Sequence, residues 1–195
     1  MTGQATTLLV AHGTRNPRGV AMIGDLAQRM SETLGHRVPV SFVDVLGPSP
    51  SEVLATLPHD QRVAVVPAFL ARGHHVRVDI PDHLTLAAHP GAVVAPALGP
   101  STTLALVAAE RLLAAGLRPG DRVVLAAAGS SDSRAVADVE RVSASLAELL
   151  STPVHIAFAS PPADGSGYPA VAQVVERLRA DAGGRVAVAS YLLAD

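Results

Sequence analysis

Three polar positions fall where short apolar runs end. His12 lies in Ala11-His12-Gly13-Thr14-Arg15, Asp44 in Phe42-Val43-Asp44-Val45, and a histidine pair in Leu70-Ala71-Arg72-Gly73-His74-His75-Val76. Two imidazoles and a carboxylate suit a divalent first-row metal. Three or fewer protein ligands leave coordination positions open, which serves catalysis or transfer rather than structure. Seven of the eight histidines precede residue 90, so a histidine site belongs to the first half. Each residue also has a plainer reading: a histidine after a strand as a hydrogen-bonded loop residue, and Asp44 as the cap of a turn before the next helix. In an extended segment the adjacent His74 and His75 point opposite ways, and spacing does not choose between them. His36, His59, His83, His89 and His155 read as solvated or loop residues. Gly13-Thr14 precedes a helical pattern, so its N–H groups suit an anion. Arg15, Arg18, Arg72 and Arg77 flank the histidine segments and suit carboxylates, with a solvated rim as the alternative.

The elements that must position these residues are legible as apolar patterns. Thr7–Ala11 has the short continuous run of a strand covered on both faces. Ile23, Leu26, Ala27, Met30 and Leu34 recur at helical spacing. Val38–Val45 reads as a second strand, and Ser49-Pro50-Ser51-Glu52 as a capping box opening a helix through Leu57. Strands at 63–66 and 92–95 follow, then a helix from Ser101 to Ala115 that ends at Gly116. After the turn signal Leu117-Arg118-Pro119-Gly120-Asp121 the pattern restarts, with strands at 122–127, 154–159 and 186–190 and helices near 133–150 and 168–180. Such alternation predicts an α/β fold with parallel sheets and helical crossovers. Ligands bind beyond the carboxyl ends of such strands, and a 2-1-3 order makes the ends bearing His12, Asp44 and His75 neighbours.

The restart has the form of an internal duplication. Leu9–Thr14 aligns with Leu125–Ser130, Pro39-Val40 with Pro153-Val154, and Val63–Val66 with Val186–Ala189. Two lobes are expected, 1–117 carrying the site and 118–195 as a degenerate repeat. Ser190–Asp195 aligns with Pro67–Arg72, after which the first half continues through a loop, a helix and a strand, so the second lobe is expected to be incomplete at its C-terminus.

Composition removes several alternatives. The chain has 195 residues, a formal charge of −2, and fifteen basic residues that are all Arg. Without Lys there is no Walker-type phosphate loop and no Schiff-base amine. Without Cys there are no disulfides, thiolate metal sites or thiol nucleophiles. Scattered charge of near-zero sum argues against nucleic acid as a partner. No apolar run approaches about 18 residues, so no membrane span is expected. The N-terminus lacks a secretory pattern, and a cytoplasmic protein is the expectation.

The segments Ala11-His12-Gly13-Thr14-Arg15, Phe42-Val43-Asp44 and Pro67-Ala68-Phe69-Leu70-Ala71-Arg72-Gly73-His74-His75-Val76-Arg77-Val78-Asp79-Ile80-Pro81 together resemble the sirohydrochlorin chelatases. These are the small ATP-independent, class II metal-inserting enzymes of sirohaem and cobalamin synthesis. The resemblance implies ferrochelatase-like, flavodoxin-like lobes around a tetrapyrrole cleft, either two in one chain or paired as a homodimer. It implies His12 and His75 as the metal-handling pair, because His74 stands at the family's variable position, and Asp44 as the nearby acid, where the family often has Glu. The second lobe has Ala128 in place of His12 and Phe158 near the place of Asp44, so one working site is expected, with the second lobe as a wall. The implied metals are Fe²⁺ and Co²⁺, and the same donors also accept Ni²⁺; no nucleotide or organic cofactor is expected.

The residues fit that chemistry on their own account. Metal insertion displaces two pyrrole N–H protons, and histidine, with a usual pKa of about 6.5, can alternate between ligand and proton acceptor. His12 is the first candidate for proton removal, with Asp44 holding an imidazole or accepting the proton. The substrate's carboxylates would meet Gly13, Thr14 and the four arginines. A non-catalytic metal- or tetrapyrrole-binding protein is the competing expectation. A histidine phosphatase, suggested by His-Gly-Thr, would need Arg before the histidine, where this chain has Ala11.

Overall fold

Leu8, Leu9 and Val10 are wholly buried because their strand, β1 (Thr6–Ala11), has a parallel neighbour on each side. Burying each such side chain stabilises the fold by about 1.5–3 kcal/mol. Successive side chains leave a strand on opposite faces. Leu8 and Val10 join Leu54, Val63, Val65 and Ile80 in one core cluster, while Leu9 and Ala11 join Ile23, Ala27, Val38 and Ala68 in another. The computed structural model describes residues 5–182 and 184–193.

The first sheet is parallel, in the order β2 (Val40–Phe42), β1, β3 (Val63–Pro67), β4 (Ala92–Val94). Helix α1 (Pro17–Leu34) begins where the Asn16 side chain accepts from the Arg18 N–H and ends at Gly35, whose φ is 71°. Helix α2 (Pro50–Ala55) has the expected capping box, with Ser49 and Glu52 satisfying each other's backbone N–H groups. One π-turn, His75–Asp79, runs straight into α3 (Ile80–Ala87).

The second sheet is also parallel, in the order β6 (Val154–Phe158), β5 (Arg122–Ala127), β7 (Val186–Tyr191). Helices α4 (Thr102–Ala114), α5 (Ser133–Leu150) and α6 (Val171–Ala182) accompany it. The chain divides into one unit up to Leu98, rejoined by Leu193, and another from Gly99 to Leu192. The division thus falls before α4 rather than at residue 117, because α4 packs on α5 and β7. The turn at 117–121 is real, held by the Asp121 carboxylate accepting from the Arg118 N–H at 2.8 Å, but it lies inside the second unit. Of the segment expected to match Pro67–Arg72, Ala194 and Asp195 lie outside the described residues. No helix among the described residues is long and apolar enough to cross a membrane.

The duplication extends to individual hydrogen bonds. The N–H groups of Val43 and Asp44 donate to the carbonyls of Ala11 and His12, each at 3.0 Å. Those of Ala159 and Ser160 donate to Ala127 and Ala128 at 2.8 and 3.0 Å. Ser160, not Phe158, therefore stands in the place of Asp44; Phe158 pairs with Ala127 as Phe42 pairs with Ala11.

Candidate metal site

His12 sits one residue beyond β1 and is exposed. Its loop is closed by Gly13, whose φ of 98° brings it against the backbone of Asp44; a Cβ there would lie 2.1 Å from the Asp44 carbonyl oxygen. Only glycine fits such an approach. The Asp44 carboxylate accepts from the Val45 N–H at 2.7 Å, and the Leu46 N–H donates to the Asp44 carbonyl at 2.7 Å. Val45, between them, has a φ of 65°, a region costly for a β-branched residue. Asp44 thus follows β2 in a strained turn instead of ending the strand. Its carboxylate holds its own turn, and another residue holds the imidazole.

That residue is Asp79. The expected extended segment around His74 and His75 is helical: His74 has φ −51° and ψ −49°, and the π-turn follows. The wide turn sets Asp79 beside both rings, its Oδ2 2.5 Å from Nδ1 of His75 and its Oδ1 3.4 Å from Nε2 of His74. His74 is largely solvent-exposed, whereas His75 is one-third exposed.

The rings of His12 and His75 meet with centroids 4.5 Å apart and planes at 89°. A metal–nitrogen bond is ~2.0–2.1 Å, so two rings this close can both reach one ion. The spacing therefore suits one shared divalent ion. His12 Nδ1 lies 2.9 Å from the Gly13 carbonyl oxygen. Phe69 lies on the other side of His75, its centroid 6.1 Å away. Among the described residues no group of three or more His, Asp or Glu side chains is arranged to hold a metal.

Beside His75 a groove of about 410 Å³ is lined by Val43, Asp44, Asp79, Asp82, His83 and Leu86. His83 is no loop residue: it lies on α3, with Nδ1 3.0 Å from the Ser51 hydroxyl. Asp79, Asp82 and His83 escape a sequence reading that treats His74 and His75 as part of an extended segment, although the four-residue steps from His75 to Asp79 to His83 are the signal of a shared helical face. His89 is buried with Nε2 3.0 Å from the Pro58 carbonyl oxygen. His155 lies on β6, where burial, then Arg177 and Arg122, hold its pKa below the ordinary histidine value. His36 contacts the Leu34 carbonyl and the Thr7 hydroxyl, and His59 is exposed, stacked on His89.

Of the expected substrate-binding residues, Thr14 accepts from the Asn16 N–H, Arg15 and Arg18 are exposed, and Arg77 donates through Nε to the Arg72 carbonyl at 2.6 Å.

Comparison with known proteins points in one direction. The family model described as CbiX matches residues 6–115. A sirohydrochlorin cobaltochelatase of Methanothermobacter thermautotrophicus is 37% identical over 81 residues, which is 40% of this chain and 57% of that relative's length. SirB from Bacillus subtilis, solved with Fe³⁺, superposes with a TM-score of 0.79 at 23% identity, covering 97% of this chain and 77% of SirB. The CbiX described as the terminal enzyme of sirohaem biosynthesis in denitrifying bacteria superposes with a TM-score of 0.64 at 22% identity, covering 94% of this chain and 89% of its own. At these identities the superpositions establish the shared fold.

Proposed function

This chain belongs to the CbiX family, and on that premise we propose that it inserts a divalent metal, Fe²⁺ or Co²⁺, into sirohydrochlorin. The observation that carries this reading is the perpendicular pair His12 and His75, 4.5 Å apart. Two neutral nitrogens hold a divalent ion firmly enough to orient it and leave most coordination positions vacant for an incoming macrocycle. The four inner nitrogens then replace the two imidazoles. The balance is M²⁺ plus the neutral macrocycle giving the metallated macrocycle plus two protons. His12, exposed at the end of β1, takes the first proton as its metal bond breaks, and Asp44 on the rim of the adjoining groove passes protons towards solvent. A positioned base of this kind contributes about 10²–10⁴-fold.

The substrate's carboxylates suit the guanidinium groups of Arg15, Arg18, Arg72 and Arg77, which lie on the two segments that supply the imidazoles. Gly13 and Thr14 shape the loop between His12 and the start of α1, so a carboxylate docked there lies close to the metal-holding nitrogen. The named relative acts on sirohydrochlorin with cobalt, which supports the same substrate class here.

The test is an anaerobic assay with sirohydrochlorin and, in turn, Fe²⁺, Co²⁺ and Ni²⁺, following the absorption change on metallation. Insertion well above the protein-free rate with at least one metal is expected. Binding of metal or macrocycle with no acceleration by any of the three would overturn the enzyme reading in favour of a non-catalytic binding protein.

A further inference from the structure

We propose that Asp79 is a positioning residue that fixes the tautomer of His75, so that Nδ1 carries the proton and Nε2 keeps the lone pair. The inference rests on the reading of His75 as a metal-holding residue and goes one layer beyond it. Its basis is the 2.5 Å contact between Asp79 Oδ2 and His75 Nδ1. A carboxylate only accepts, so the shared proton belongs to the ring. The other carboxylate oxygen faces His74 at 3.4 Å, and the side chain is 28% exposed, so Asp79 is held between two rings of which only one meets His12.

His12 reaches the same state by a different device. Its Nδ1 lies 2.9 Å from the Gly13 carbonyl, another pure acceptor. Both rings therefore offer Nε2 as the metal-binding nitrogen, one restrained by a neutral amide and the other by a carboxylate. A neutral imidazole in water favours the opposite tautomer, with the proton on Nε2, which removes the lone pair a metal needs. The π-turn is the means: its extra residue per turn sets the carboxylate four positions on directly against the ring. Metal-binding histidines depend on such partners, whose loss typically weakens metal affinity 10–100-fold.

The test uses the full chain with ¹⁵N-labelled histidine, near pH 8.5 where imidazoles are neutral, together with Co²⁺ titrations. Wild type is expected to show His75 protonated at Nδ1. Asp79→Ala should move the proton to Nε2 and weaken Co²⁺ binding about 10–100-fold. Asp79→Asn retains an acceptor without the charge, so it should keep the Nδ1 proton and bind Co²⁺ about 10-fold more weakly. An unmoved tautomer in Asp79→Ala, or wild-type Co²⁺ affinity in both variants, overturns the proposal. Should Asp79→Ala not fold, Asp79→Asn decides: undiminished Co²⁺ affinity overturns it. The tautomer is read without metal or macrocycle, so failure of the chelatase reading appears separately, as a wild-type protein with ordered tautomers and no metal insertion.

Discussion

The loops after β1 and β5 are the same piece of backbone carrying different chemistry. Gly13 and Gly129 have φ of 98° and 107°, and a Cβ on either would lie 2.1 or 2.2 Å from a carbonyl oxygen, of Asp44 or Ser160. Thr14 and Ser130 each accept from the N–H two residues on, and Asn16 and Asp132 each cap the helix that follows. What differs is the side chains carried on that frame: His12 against Ala128, and Asp44 against Ser160. The first unit carries imidazoles and a carboxylate on a frame that both units share. Stability and chemistry should therefore be separable by substitution.

The largest expected effect is on turnover. His12→Ala and His75→Ala should each lower metal insertion by about 10²-fold or more, while Ala128→Ser, at the matching place in the second unit, should leave it unchanged. Equal losses at all three positions would break the comparison. Next come the glycines. Gly13→Ala and Gly129→Ala should each destabilise the protein by about 1–3 kcal/mol in urea unfolding, since both force a Cβ into a left-handed turn against a carbonyl. Only Gly13→Ala should also weaken Co²⁺ binding while the protein is folded.

Smaller still are the caps. Asn16→Ala and Asp132→Ala should each lose about 1 kcal/mol in the same measurement, because each removes the acceptor for an orphan helix N–H. The smallest effect is a pH dependence that comes from the capping box of α2 in the first unit. The Ser49 N–H first, and then its hydroxyl, hold the Glu52 carboxyl below the ordinary carboxylate value. A depressed folded-state pKa gives stability that is fully present above the unfolded value of about 4.3 and is lost as pH falls through the folded one. Glu52→Gln keeps the capping box without a titrating group, so it should flatten this acid-side decline in thermal melts.

How much of this was legible in the sequence depended on whether the signal was local. Strand β1 betrayed itself by an unbroken Leu-Leu-Val run, and α2 by Ser49 and Glu52. Gly13 and Gly129 stood out in the aligned repeat, though not the carbonyl each packs against. The meeting of His12 and His75 followed from strand order, since parallel strands send their loops to one end of the sheet. Asp79 was hidden because, in a segment read as extended, a four-residue step carries it about 13 Å from residue 75; the helical turn found there brings the two side chains together. The boundary before α4 was hidden for another reason. A helix that packs on elements later in the chain looks, in sequence, like the end of the unit before it.

X-ray absorption on the Co²⁺-loaded protein tests the central claim most directly, because it counts the imidazoles bound to the ion. The account predicts two in wild type and one in each of His12→Ala and His75→Ala. A wild-type site with fewer than two imidazoles, or a spectrum unaltered in both variants, would contradict it.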